Sequence, residues 1–302
     1  MTSPKISIGG QAVIEGVMMK ASRNIAIAVR NEKGKIISKK QKLRKYRHGF
    51  MQWPFIRGVT NLIEMMMIGM QALIWSANQF VEEEEEFSLT ELILLILTSL
   101  GFTILFFVAL PYFLTDLFGV REASKPFLFN LVDGLIKITL FIAYILVISL
   151  MKDVKRLFQY HGAEHRAVYC YEANLPLTTK NCKRFPTMHP RCGTAFIMMV
   201  FVVSIFILSL IPSIMFYLFP AVKAYNIWLQ KLVLFPVRVL FIPIVAGVSY
   251  ELLKLSAKYS SNLLMKAFIL PGIGMQLLTT KKPDNKQQEV AIVALKIAKG
   301  MK

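Results

Sequence analysis

Only four histidines occur in the 302 residues, and two of them fall in Tyr160-His161-Gly162-Ala163-Glu164-His165. On a helix His161 and His165 lie one turn apart on one face, with Glu164 beside them. This H-x-x-E-H order inverts H-E-x-x-H: two imidazoles at that spacing can hold one metal ion while the carboxylate takes a proton from water activated there. The same spacing also fits a hydrogen-bonded pair on an amphipathic helix, so the rest of the chain must supply context.

Two histidines do not complete a zinc site, and a third ligand has to come from elsewhere. Glu172 lies seven residues after His165, about ~10 Å along a straight helix axis, which is too far unless the helix breaks after Tyr169. His189-Pro190-Arg191-Cys192 offers an imidazole and a thiol after a proline-containing loop, with His189 the first choice and Cys192 the second. Arg166 and Arg191 are the nearby cations able to steady developing negative charge.

The elements that must position these residues belong to a membrane protein. A 55% hydrophobic composition and a mean hydropathy of +0.52 are too apolar for an ordinary soluble enzyme. The formal net charge of +18 comes from Lys and Arg clustered around apolar segments, as on a cytoplasmic membrane face, so nucleic acid is not the expected partner. Three cysteines, Cys170, Cys182 and Cys192, leave an odd number and no expected structural disulfide. The N-terminus carries no expected signal peptide.

Residues 1–88 form an expected cytoplasmic N-terminal region. Ile6 to Lys20 is glycine-rich with Glu15 in an apolar setting. Ile25 to Val29 and Lys35 to Ser38, around Asn31-Glu32-Lys33-Gly34, predict a β-hairpin, and the basic run Lys39 to Arg47 predicts a solvated loop. From Gly58 to Val81, the polar residues Asn61, Glu64, Gln71 and Asn78 recur along one helical face, predicting an interfacial amphipathic helix rather than a span.

Residues 89–255 carry four predicted transmembrane helices, Leu89 to Leu114, Phe127 to Met151, Gly193 to Phe219 and Leu232 to Leu255, each able to cross a ~30 Å hydrocarbon core. The connections after the first and third hold two basic residues each, whereas the N-terminal region, the connection 152–192 and the tail are rich in Lys and Arg. Both termini and the histidine motif are therefore expected in the cytoplasm. A helix leaving the membrane through Lys152 to Arg156 would carry the motif and stop near Asn174-Leu175-Pro176. In the second span Asp133 and Lys137 sit at i, i+4 and can neutralise each other or line an ion path. In the fourth, Arg238 and Glu251 point to different faces, and Glu251 lies at the cytoplasmic end where it could support the histidines. In the tail, 256–302, Pro271 to Asp284 reads as a turn, a short helix and a further turn, and Gln287 to Lys299 as an amphipathic helix that docks on the cytoplasmic face.

The blocks Gly9 to Met19, Tyr160 to His165, His189 to Thr194, Pro271-Gly272 and Gln288 to Ala291 resemble, in order and over nearly the whole chain, the YqhQ-type family of bacterial membrane proteins. The resemblance implies a multi-pass protein of the bacterial inner membrane, described as a metal-dependent enzyme of unknown function. It strengthens metal binding at His161 and His165 and brings Glu15 and His189 among the candidates.

The expectation is a mainly α, polytopic membrane protein whose His161, His165 and a third ligand hold a divalent ion, zinc by preference. Glu164 would act as base in a hydrolase working on a membrane-embedded substrate among lipids. The rival is a transporter using Asp133 and Lys137, which with four spans would need to oligomerise, or a scaffold that assembles other membrane proteins.

Overall fold

The computed structural model describes residues 8–22, 24–43, 49–80, 88–190, 192–259 and 262–301. The chain opens with four antiparallel strands paired in sequence order, β1 (Ile8–Val13), β2 (Gly16–Ala21), β3 (Asn24–Arg30) and β4 (Ile36–Lys42). The predicted hairpin is β3–β4, but it is half of a larger sheet. Ile8–Val13 and Gly16–Ala21, from the glycine-rich segment, form a second hairpin that turns through Glu15, held at φ 51°. Its glycines concealed it: at Gly16 an added Cβ would meet the Ala28 carbonyl oxygen at 2.2 Å, so only glycine lets β2 lie flat on β3 there. The basic run is not all loop either, because Lys39–Lys42 continues β4. This is an edge strand, and its exposed lysines discourage further pairing.

Both faces of the sheet are covered, which is why β2 and β3 read as nearly continuous apolar runs. In β3, Ala26 and Ala28 face one side and Ile25, Ile27 and Val29 the other. The alanine side, with Val17 and Met19, packs on α5 (Lys152–Glu172) and α11 (Asn285–Lys299) through Ala163, Ala167, Ala291 and Ala294. Small residues on both partners let helices and sheet approach closely. The isoleucine side packs on α1 (Ile56–Ala77) through Ile68 and Ala72.

The apolar helices follow. α2 (Leu89–Ile104) starts at a Ser88/Glu91 capping box and runs through a π-helical stretch, Leu105–Ala109, into α3 (Leu110–Leu117). Pro111 lacks an N–H for the i→i−4 ladder, and the wider turn before it accommodates that loss. α4 (Pro126–Ile148) is separated from α5 by a break at Ser149–Met151, so the helix does not run on unbroken as expected. After α6 (Thr179–Cys182) come α7 (Gly193–Leu218), α8 (Pro220–Lys223) and α9 (Ile227–Lys258), the last containing Pro236 and Pro243. Pro271 and Gly272, expected in a turn, lie inside α10 (Leu263–Thr279), where the missing side chain at Gly272 admits Ala195 of α7. α11 begins at an Asp284/Gln287 capping box and ends at Gly300 with φ 71°, close to its expected bounds.

Among the described residues, five helices are long and apolar enough to cross a membrane: Ile56–Ala77, Ile93–Leu117, Pro126–Ile148, Gly193–Leu218 and Ile227–Ser256. The additional one is α1. Its hydropathy of 1.2 is well below the 2.2 to 2.8 of the others, because the polar stripe read from the sequence lowers it.

Candidate metal centre

α5 is continuous from Lys152 to Glu172, so His161 and His165 stand one turn apart on one face, their ring centroids 4.4 Å apart. Both rings are oriented by backbone carbonyls. Nδ1 of His161 is 2.8 Å from the Thr279 carbonyl oxygen at the end of α10, and Nδ1 of His165 meets the Thr187 carbonyl. A carbonyl oxygen can only accept, so each Nδ1 carries the proton and each Nε2 keeps its lone pair. Fixing the tautomer from the far side of the ring is what an outer shell does for a metal-ligating histidine.

Into these lone pairs comes the thiol of Cys192, the N-cap residue of α7. Its Sγ is 3.2 Å from His161 Nε2 and accepts from Thr194 Oγ1 at 3.2 Å. One ligand atom from each of His161, His165 and Cys192 lies within 4.8 Å of the others. Bond lengths of about 2.0–2.1 Å for Zn–N and 2.3 Å for Zn–S imply tetrahedral ligand separations of ~3.3–3.6 Å, a few tenths of an ångström wider than the His161–Cys192 contact. The donor set therefore suits zinc chemically and leaves a fourth position open.

Glu164 is 5% exposed beside this group. Burial holds its carboxyl above the usual glutamate range, opposed by His161, His189 and a hydrogen bond from the Gly10 N–H. Gly10 is what allows β1 this close: a Cβ there would lie 3.0 Å from Glu164 side-chain atoms. Burial likewise pushes His165 and His189 below the usual histidine range, which keeps both imidazoles neutral near pH 7.

The other candidates are placed as follows. His189 stands next to the group, its ring centroid 5.7 Å from that of His165, but its Nε2 faces Glu172 at 3.4 Å and its ring meets Tyr169. Of the two proposed third ligands, then, the thiol joins the donor group and the imidazole lies behind it. Glu172 needs no helix break to find a role, since it reaches His189. Arg166 donates Nε–H to the Phe185 carbonyl at 3.1 Å and so holds the loop that returns to Cys192. Arg191 lies outside the described residues. Glu15 is taken up by Arg156, with Tyr160 Oη donating to it at 3.3 Å. Glu251 pairs with both ends of the Arg57 fork rather than with the histidines.

Asp133 and Lys137 are paired at 2.5 Å, and both are buried. Arg238 joins them from α9, 3.7 Å from Asp133 and in hydrogen bonds to Glu122 (2.9 Å) and Asn130 (2.7 Å), with Tyr112 and Phe129 rings against its guanidinium. Glu122 was not foreseen, because it sits in the connection between α3 and α4 where acids are commonly solvated. The orienting carbonyls of Thr187 and Thr279 were also missed, since a backbone acceptor has no signature in sequence. Gly162 is the one indirect signal. A Cβ at Gly162 would meet the Lys281 carbonyl oxygen at 2.1 Å, so this glycine lets the chain after α10 lie against α5.

A family model described as "Protein of unknown function (DUF1385)" matches residues 53–301. The chain belongs to this family. It is 33% identical over 301 residues to the uncharacterized protein YqhQ of Bacillus subtilis, covering 94% of this chain and 89% of the relative. No solved structure matches. The YqhQ-type resemblance noted in the sequence is thereby established over nearly the whole chain.

Proposed function

We propose that this is a membrane-embedded, metal-dependent enzyme of the hydrolase class whose site faces the cytoplasm at the surface of the bacterial inner membrane. The observation that carries the reading is the convergence of two Nε2 lone pairs and a thiol next to a buried carboxylate. His161, His165 and Cys192 would hold the ion, and a divalent cation bound there supplies Lewis acidity towards a carbonyl or phosphoryl oxygen and towards water. Glu164, with its affinity for protons raised by burial, accepts the proton that hydrolysis releases and returns it to the leaving group. Thr187 and Thr279 keep both imidazoles in the ligating tautomer throughout.

The membrane arrangement follows from parity. The sheet shares one continuous core with α5 and α11, so all three lie on the same side of the bilayer. The number of crossings between β4 and α5 must then be even. The α2–α3 rod and α4 provide two, and α1 as a span would make three. α1 therefore lies in the interface, and its exposed Ile63, Met66, Met67 and Met70 meet lipid while its opposite face holds the sheet. Four spans remain, and the excess of Lys and Arg puts the sheet, α5 and α11 in the cytoplasm. A site on α5, directly after a span, suits a substrate embedded in or tethered to the membrane.

X-ray absorption of the zinc-loaded protein tests the site, with a first shell containing nitrogen and one sulfur expected and a shell without sulfur counting against it. Function separates the reading from its rivals. Loss of the cellular phenotype in Glu164→Gln with metal retained supports an enzyme. Loss in Asp133→Asn while Glu164→Gln and His161→Ala are tolerated supports an ion path instead.

A further inference from the structure

Between α1 and the isoleucine side of the sheet runs a cleft of about 490 Å³, within the ~300–1,000 Å³ range of small-ligand sites. Its walls are apolar, formed by Ile25 and Ile27 on β3 and by Ile68 and Trp75 on α1. Its polar lining is asymmetric in charge. Lys39, opposite Ile27 in the β3–β4 register, is the one charged side chain, and it has no ion pair among the described residues. Asn78, at the C-terminal end of α1, lines the same cleft and has a buried Oδ1 with no hydrogen-bond partner among the described residues. That oxygen is closed to solvent and takes no part in what the cleft can bind, whereas the Gln41 and Gln71 amides and the Lys39 ammonium give the cleft its donors.

We infer that this cleft binds one anionic phospholipid, its acyl chain along Ile25, Ile27 and Ile68 and its phosphate at Lys39. The inference rests on the in-plane placement of α1 proposed above but not on the metal. That placement puts the cleft beside bulk lipid, since the face of α1 turned away from the sheet carries the exposed Ile63, Met66, Met67 and Met70. The chemistry is complementary at both points: chain to isoleucine, anion to ammonium. A zwitterionic lipid would bring its own cation towards Lys39 and gain less. Bound lipid would tie the cytoplasmic sheet to the bilayer and so fix the height of β1, and with it Glu164, above the membrane.

Trp75 provides the probe. The other two tryptophans, Trp53 and Trp228, are exposed and can be changed to Phe. The full-length W53F/W228F protein in detergent micelles is titrated with phosphatidylglycerol brominated on its acyl chains, and quenching of Trp75 is recorded. Saturable quenching is expected at one lipid per chain, with brominated phosphatidylcholine roughly fivefold weaker, the worth of one lysine near an anionic headgroup. Lys39→Glu should remove that preference and Lys39→Arg should keep it. Lys39 is exposed in an edge strand, and unchanged circular dichroism would confirm that both variants fold. Equal quenching by the two lipids would overturn the proposal, as would displacement of the lipid by millimolar inorganic phosphate, which would mean that the headgroup binds without its chain. Absence of quenching with a dimer in sedimentation would overturn it in favour of a second copy of the chain. Metal content is measured on the same samples, so failure of the lipid site and failure of the metal site are told apart.

Discussion

The donor group of His161, His165 and Cys192 and the charged group of Glu122, Asp133, Lys137 and Arg238 are both polar, both largely withdrawn from solvent and both built from helices, yet they use their polar atoms in opposite ways. In the charged group two carboxylates meet two cations, and Arg238 is bonded to Glu122 and Asn130 with the Tyr112 and Phe129 rings against it. Its attractions are directed at its own members. In the donor group the outward-facing Nδ1 atoms are satisfied by carbonyls while the inward-facing Nε2 lone pairs and the thiol point at one another. Burial alone therefore does not distinguish structural from functional polarity; what distinguishes them is whether the lone pairs are matched within the protein or converge on a common point. Asp133 Oδ1, buried with no partner among the described residues, is the one place where the charged group departs from this division.

The comparison can be broken most sharply at Glu164. Glu164→Gln should lower turnover by about 10²–10⁴-fold while leaving bound metal unchanged, the signature of a lost proton acceptor. Turnover that survives the change would remove the carboxylate from the chemistry and leave the donor group as a structural site. Next in size, Arg238→Met should cost about 3–5 kcal/mol of stability, since it strands Glu122 and Asp133 without their shared cation. Its melting temperature should fall with metal content per folded molecule unchanged, and a parallel loss of metal would mean that the two regions are not independent. Gly162→Ala should weaken metal affinity by about 10–100-fold, because the new methyl displaces Lys281 and with it the Thr279 carbonyl that orients His161. Isothermal titration with zinc reads that change directly.

The smallest effect concerns pH. Glu164 has a raised folded-state pKa, so its contribution to stability is present below the unfolded value of 4.5 and is lost as pH rises through the folded value. In metal-free protein Glu164→Gln should therefore melt higher than wild type at pH 7.5. The difference should close as pH falls towards 4.5. A wild type that melts higher than the variant at pH 7.5 would show that the carboxylate charge stabilises the fold, contrary to the burial-driven shift.

What could be read from sequence follows the range of the interactions. His161 and His165 were legible because one helical turn relates them, and α11 was legible because its apolar stripe is local. The long apolar helices were legible from composition. β1 and β2 were not, because Gly9, Gly10 and Gly16 depress strand propensity, and Gly10 and Gly16 make sense only once Glu164 and β3 are in place. Lys39–Lys42 hid as a loop because an edge strand needs no apolar face of its own. His189 ranks ahead of Cys192 as third ligand in the sequence, whereas the structure brings the thiol to the other two histidines, because the loop from Asn174 to Cys192 decides between them. That decision depends on Gln276, whose side chain clamps the backbone of His189 at 2.7 and 2.9 Å from another helix.

Metal analysis of the purified full-length protein, wild type beside the His161→Ala/His165→Ala double variant, tests the central claim most directly. The expected result is about one zinc per wild-type chain, the load of a single site, and loss of that metal in a variant that still folds. A wild type that carries out its cellular function without stoichiometric metal, or a double variant that retains it, would contradict the metal centre at α5.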